Sequence, residues 1–267
     1  MAAKCTLADC LAYFDDVLVA LRLGFSAIEA VAPKPTARLR SGHFEVRYDD
    51  PTVELALFLK LARSISLLGA LRIMVEHGRI QEQGILQRAI DETDEDILFL
   101  SSGHQNGLED IHHQFLEAFW AEEFKDPTKP MKHTRRESVP RRKIQAWNNR
   151  QLDVPDPSTA QSVNRLLQGV FSGYVHGAST HIFDLFDAST GQYSLDGLPK
   201  GPVRDSYLVD SANYPYRVLM SAVMVARRLG LEAVAEGFYR KMKDAEKFVG
   251  LPTDEEAAEL LAKLRSQ

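Results

Sequence analysis

The apolar positions of this chain recur with helical period along nearly its whole length. Thr6 stands as the cap of a helix over 6–32 that carries Leu11, Phe14, Val17, Leu18 and Leu21 on one face, and Pro33 and Pro35 end it. Residues 33–50 read as a loop in which His43–Tyr48 alternates like a short strand, with no second strand to pair it. Asp50-Pro51 opens the next helix, 52–77, which is apolar almost all round through Val53, Leu57, Leu61, Ile65, Leu68, Leu71 and Val75. A helix of that kind belongs in the middle of a bundle. Gly78 stops it. Further helical patterns follow at 81–100 (with a break expected near Thr93), 108–124, 141–150, 158–188, 214–229, 231–249 and 253–265. The last of these opens with a capping-box spacing, Thr253 to Glu256.

The pattern predicts an all-α fold, a single multi-helix bundle over residues 1–267. Its parts are an N-terminal helix at 6–32, a core at 52–188 centred on helices 52–77, 81–100 and 158–188, and C-terminal helices within 214–265. Two connections interrupt the helical pattern. One is a Gly/Pro-rich stretch at 189–213, read as a long structured loop with a small hairpin, a length that often marks function. The other is a basic, proline-containing connector at 125–157.

Within 158–188 the stretch 171–186 concentrates unusual residues. Phe171, Tyr174, Val175, Ala178, Ile182 and Leu185 trace a helix face that would pack on a core. Gly173, Gly177, Thr180 and Asp184 form a second stripe. Each interior glycine costs a helix about 1 kcal/mol relative to alanine, so close approach of another group is expected there. His176 and His181 project roughly 140° apart on a helix and do not chelate one ion by themselves. Asp184 lies where it would orient His181 from one turn away.

Charge adds a second feature. Nine cations between Lys125 and Arg150 face only Asp126 and Glu137, so this segment carries +7 of a net −5 and the remainder −12. That asymmetry suits RNA or another polyanion, with Arg135, Arg136, Arg141, Arg142 and Lys143 as phosphate contacts and Trp147 as a stacking platform. The bland alternative is a surface hinge that pairs with the acidic remainder of the fold. Charges also sit on the predicted core helices, as Arg72 with Glu76 and Arg88 with Asp91 and Glu92. They read either as a pocket that grips a ligand or as an ion-pair network that docks two helices.

With 45% hydrophobic residues the chain can build its core without disulfides. Cys5 and Cys10 fit reduced thiols and are too few for a cysteine zinc site, and no apolar run is long enough to cross a membrane. A cytoplasmic location is the expectation. Glu109-x-x-His112 has the spacing used by di-iron bundles but occurs once; no metal site is assigned, and a centre joining His112 or His113 to His176 or His181 stays open. Phosphate loops, a nucleophile elbow and paired catalytic carboxylates are absent, and no cofactor is assigned.

The blocks Arg72-Ile-Met-Val-Glu76, Gln87-Arg88-Ala-Ile-Asp91-Glu92, Val139-Pro-Arg-Arg-Lys-Ile144, Ser172-Gly-Tyr-Val-His-Gly-Ala-Ser-Thr-His181 and Asn213-Tyr-Pro-Tyr-Arg217 resemble those of uncharacterised bacterial all-helical proteins grouped with HEPN-like bundles. The resemblance implies that Arg72, Glu76, Arg88, His176 and His181 converge, with Arg72, Glu76, His176 and His181 as candidate catalytic residues toward RNA and Arg88, Asp91, Glu92, Tyr174 and Asp184 as a polar network. The Arg-x4-His spacing of HEPN ribonucleases occurs at Arg38…His43 and Arg72…His77, as often as chance supplies. No such arginine precedes His176. Three functional classes therefore stand side by side: an RNA-binding or RNA-processing bundle, a non-enzymatic scaffold or sensor (including a homo-oligomer), and a bundle that binds a metal or small ligand.

Overall fold

Two long helices run antiparallel through the centre: α2 (Val53–Glu76) and α3 (Ile80–Asn106), joined by a turn at Gly78 with φ 63°. The structure is a computed structural model that describes residues 6–40, 42–121, 137–151, 166, 169–198 and 200–251. The fold is all-α, as the periodicity requires. Helix α1 (Leu7–Val31) begins with a full capping box, in which Thr6 and Asp9 satisfy each other's backbone N–H groups. It lays Phe14, Val17, Leu18 and Leu21 against α2 and against α9 (Tyr214–Arg228) and α10 (Glu232–Val249). Shorter helices α4 (Asp110–Trp120) and α5 (Arg141–Gln151) cover the far end of α3.

The bundle departs from the sequence reading in four places. Residues 33–50 hold a hairpin, β1 (Thr36–Arg40) against β2 (His43–Arg47), reversed at Gly42 with φ 81°. The first strand escaped notice because its alternation rests on the small Ala37. Its register pairs Leu39 with Phe44 and Ala37 with Val46, which gathers one exposed apolar face. Helix α3 does not break at Thr93; that hydroxyl bonds back to the Ala89 carbonyl at 2.6 Å and the helix continues to Asn106.

The third correction concerns 158–188, of which 158–165 and 167–168 lie outside the described residues and the rest is not one continuous core helix. Helix α6, at 169–176, ends where Gly177 turns left-handed (φ 63°) and Ala178 N–H bonds the Gly173 carbonyl at 2.9 Å, the long bond of a Schellman motif. A four-residue helix α7 (Ser179–Ile182) and a 3₁₀ turn (Phe183–Leu185) follow. Of the face expected to be buried, Val175 is 45% and Ile182 42% exposed and Ala178 is exposed too, while Phe171, Tyr174 and Leu185 are half-buried. The third core helix is α9, through Val218, Leu219, Ala222, Val225 and Ala226. Fourth, beside the small hairpin expected there, in which β3 (Phe186–Asp187) pairs β4 (Gln192–Tyr193), the stretch 189–213 holds a helix α8 (Pro202–Ser211) that begins on Pro202. The helix expected at 253–265 and most of the 125–157 connector lie outside the described residues.

This outer segment is fastened to the α2–α3 corner by backbone. Leu198 N–H bonds the Gly78 carbonyl at 2.9 Å, and a Cβ on either Gly78 or Gly197 would strike the facing main chain. Arg204 of α8 caps the C-terminus of α2, bonding the Glu76 carbonyl at 2.9 Å. No helix among the described residues is long and apolar enough to cross a membrane.

Two glycines make opposite tests of this packing. A Cβ on Gly24 of α1 would run into the fully buried Phe238 ring, whereas Gly237 on α10 faces open space. Gly24→Ala is expected to destabilise by about 1–3 kcal/mol through overpacking. Gly237→Ala should stabilise by about 0.5–1 kcal/mol through helix entropy. Urea denaturation of both variants checks the pair.

Candidate functional site

Helix α3 buries a run of acids, and each finds partners on a different element. Asp96, 3% exposed, takes Lys60 of α2 and Arg141 of α5, both at 2.6 Å. Glu95 accepts from Gln145 at 2.8 Å, and Asn148 bonds its carbonyl at 2.9 Å. Asp94 accepts from Ser221 of α9 at 2.8 Å and Ser64 of α2 at 3.3 Å through one oxygen, while its other oxygen is buried without a partner. Asp91 receives the Tyr214 hydroxyl at 3.3 Å and the Arg217 guanidinium at 2.6 Å, the latter an ion pair whose angle falls short of a hydrogen bond. Burial pushes Asp94 from 3.8 up to about 7 and Asp91 up to about 6, against the opposing pull of Arg217.

Above Asp91 a cavity of about 740 Å³ opens between α6, the 3₁₀ turn and helices α3, α8 and α9. Gln87, Tyr214 and Arg217 line it from α3 and α9, Phe171, Tyr174 and Asp184 from the outer segment, and Ser206, Tyr207 and Asp210 from α8. A hydroxyl chain crosses one wall: Tyr174 bonds Tyr207, and Tyr207 donates to Asp184 at 2.7 Å. Burial, the Tyr174 bond and Asp184 together push the Tyr207 hydroxyl far above the ordinary tyrosine range. Tyr174 is seated because Gly84 of α3 has no side chain; a Cβ there would come within 2.6 Å of the ring. His181 packs on the same ring at 4.0 Å between centroids, in the space left by Gly173. Glycines 84 and 173 thus have the close neighbours that helix glycines call for, and Gly177 serves the turn.

The sequence-selected residues divide among separate places. Arg72 lies between α2 and α1, held bidentately by Asp15 at 2.9 Å and by Glu76. No hydrogen bond or ion pair joins Arg72 or Glu76 to either histidine: His176 is exposed, and the His181 carbonyl accepts from Gln81. Asp184 is bonded to Tyr207 and not to His181. Arg88 and Glu92 form an i, i+4 pair at 2.8 Å on the half-exposed side of α3, while Asp91, Tyr174 and Asp184 belong to the cavity and its floor.

Of the basic set, Arg141 is absorbed by Asp96 and Glu95, and Trp147 is 5% exposed with its indole N–H on Ser102 at 2.9 Å. Arg142 and Lys143 are exposed; Arg135 and Arg136 lie outside the described residues. His112 is fully buried against Phe99 and Trp147, and among the described residues no three His, Cys, Asp or Glu side chains are grouped to hold a metal ion. The sequence reading passed over Gln87, Tyr207, Asp210, Tyr214 and Arg217 as site residues, although Tyr207/Asp210 and Tyr214/Arg217 each show i, i+3 pairing of polar groups. Compared with protein-family models, curated proteins and solved structures, the chain finds no significant match.

The two raised carboxyls set a pH dependence. Each binds its proton more tightly folded than unfolded, so between about pH 4 and 7 the folded chain holds more protons and stability falls as pH rises. Asp94→Asn, which keeps the acceptor for Ser221 and Ser64, is expected to flatten that fall and raise the melting temperature at pH 8 above wild type. A thermal melt series from pH 5 to 8 measures both.

Proposed function

We propose that this protein is a small-molecule-binding helical bundle whose ligand sits in the cavity between α6, α8 and α9. The supporting observation is Gln87, a side chain only 4% exposed that nevertheless lines the cavity. Its Nε2 donates to Ser211 at 3.0 Å, Ser211 donates to Gln83 at 3.0 Å, and Gln83 donates to the Met74 carbonyl at 3.2 Å. That directional chain fixes the Gln87 amide with its oxygen left as an acceptor. That oxygen is not sealed from solvent, so it is available to hydrogen-bond a ligand that enters the cavity. The cavity volume falls in the range of about 300–1,000 Å³ typical of ligand pockets.

The α3 acids are assigned a structural role under the same reading, because their partners are spread over α2, α5 and α9 and tie those helices to α3. The alternative of RNA binding draws on Arg142 and Lys143, exposed at the start of α5.

The test is a thermal-shift screen of a metabolite library against wild type and Ser206→Trp, which fills the cavity from α8. A ligand at about a hundred times its Kd adds about 2.7 kcal/mol and several degrees to the melting temperature. The expected result is at least one hit on wild type that Ser206→Trp abolishes. Hits that survive the tryptophan, or no hits at all, reject the cavity as the site.

A further inference from the structure

The free hydrogen-bonding capacity of the cavity is one-sided. The Tyr214 hydroxyl is committed to Asp91, the Tyr207 hydroxyl to Asp184, and the Tyr174 hydroxyl to Tyr207. The Asn213 amide N–H₂ reaches back to the carbonyls of Val209 and Asp210, both at 3.4 Å. These assignments consume donors and leave acceptors: the Gln87 oxygen, the second oxygen of Asp184, the Asp210 carboxylate and the Asn213 oxygen. Among the described lining side chains only Ser206 and the remaining N–H groups of Arg217 still offer protons.

The charge balance points the same way. Among the described residues Arg217 is the only cation lining the cavity, and Asp91 behind it already pairs that charge at 2.6 Å while its guanidinium lies over the Tyr214 ring at 5.3 Å. Asp184 and Asp210 are lining carboxylates with no cationic partner. Both add to burial in holding the proton on the Tyr174 hydroxyl. An anion entering here would compete with Asp91 for Arg217 while facing two more carboxylates.

Resting on the cavity being a ligand site, we infer that it takes a protonated organic amine. The ammonium N–H groups are received by Asp184, Asp210 and the Gln87 oxygen, and the carbon skeleton lies against Phe171, Tyr207 and Val203. A multi-donor cation is the complement of an acceptor-rich, negatively charged cavity with aromatic walls. Both a linear polyamine and an aromatic amine satisfy this chemistry, and the choice of probes separates them.

The test is calorimetric titration of the full chain with spermidine, benzylamine, benzyl alcohol and benzoate at one pH and ionic strength. At least one amine is expected to bind ten-fold or more tightly than benzyl alcohol and benzoate. Asp210→Asn, at the exposed rim of α8 where folding is not at stake, should weaken that amine about ten-fold, and Asp184→Asn should do so at least as strongly. A spermidine preference marks a polyamine site, a benzylamine preference an aromatic-amine site. Benzoate or benzyl alcohol binding as well as the amines, or amine binding indifferent to Asp210→Asn, overturns the amine assignment while leaving the cavity a ligand site. Failure of all four probes also overturns it, and the Ser206→Trp library screen then decides separately whether the cavity binds anything.

Discussion

Burying acids along the middle of α3 is the constraint on which the rest of the bundle depends. An unpaired carboxylate in a helical core is too costly to keep, so each must meet a donor from a neighbouring element. Asp96 calls α2 and α5 into contact, Glu95 fixes the rotation of α5, Asp94 ties α2 to α9, and Asp91 positions Tyr214 and Arg217. The apolar surfaces of these helices would tolerate other dockings; the acids specify one. Helix α2, apolar on nearly every side, needs this help most, because its own side chains prescribe no unique neighbour.

The same network explains what became of the basic segment. A cation at the first turn of a helix opposes the helix dipole, and Arg141 stands at that position in α5. It is retained because Asp96 and Glu95 reach it, and its ordinary pKa is pushed higher still by those acids despite burial. Trp147, one and a half turns on, is held by the same docking and serves the core beside Phe99 and His112. Part of the net positive charge of the connector is thus internal wiring between α5 and α3.

Helix periods and stops were legible in the sequence because they depend on local spacing: Thr6 and Gly78 mark boundaries that the structure keeps, whereas α2 is capped by Thr52 rather than Asp50 and α8 starts in a stretch read as loop. Which helix faces the core was less so. The stretch after Phe171 has a core-like apolar spacing, yet a single left-handed glycine at 177 cuts it short and leaves its hydrophobic residues on the outside. Polar residues misled in the opposite direction. Arg72 and Glu76 look like a functional pair on an apolar helix, but they pair with each other and Arg72 also meets Asp15, far away in sequence. The cavity was half legible: Tyr174, Asp184 and Asp91 were selected, whereas Gln87 gains meaning only through Ser211 and Gln83, a relation no spacing rule encodes.

The cavity has walls of unequal standing. Gln87, Tyr214 and Arg217 belong to helices knit into the contiguous core, while Phe171, Tyr174 and Asp184 sit on a segment whose described residues contribute nothing to that core and are held by the Gly78–Leu198 backbone bond, the Tyr174 seat on Gly84 and a few side-chain bonds. Local opening of such a segment costs only the contacts that fasten it, far less than unfolding the bundle. One half of the cavity therefore has a free energy of its own: the outer wall opens at lower cost than the floor, and an occupant that touches both walls would add to the contacts that fasten it.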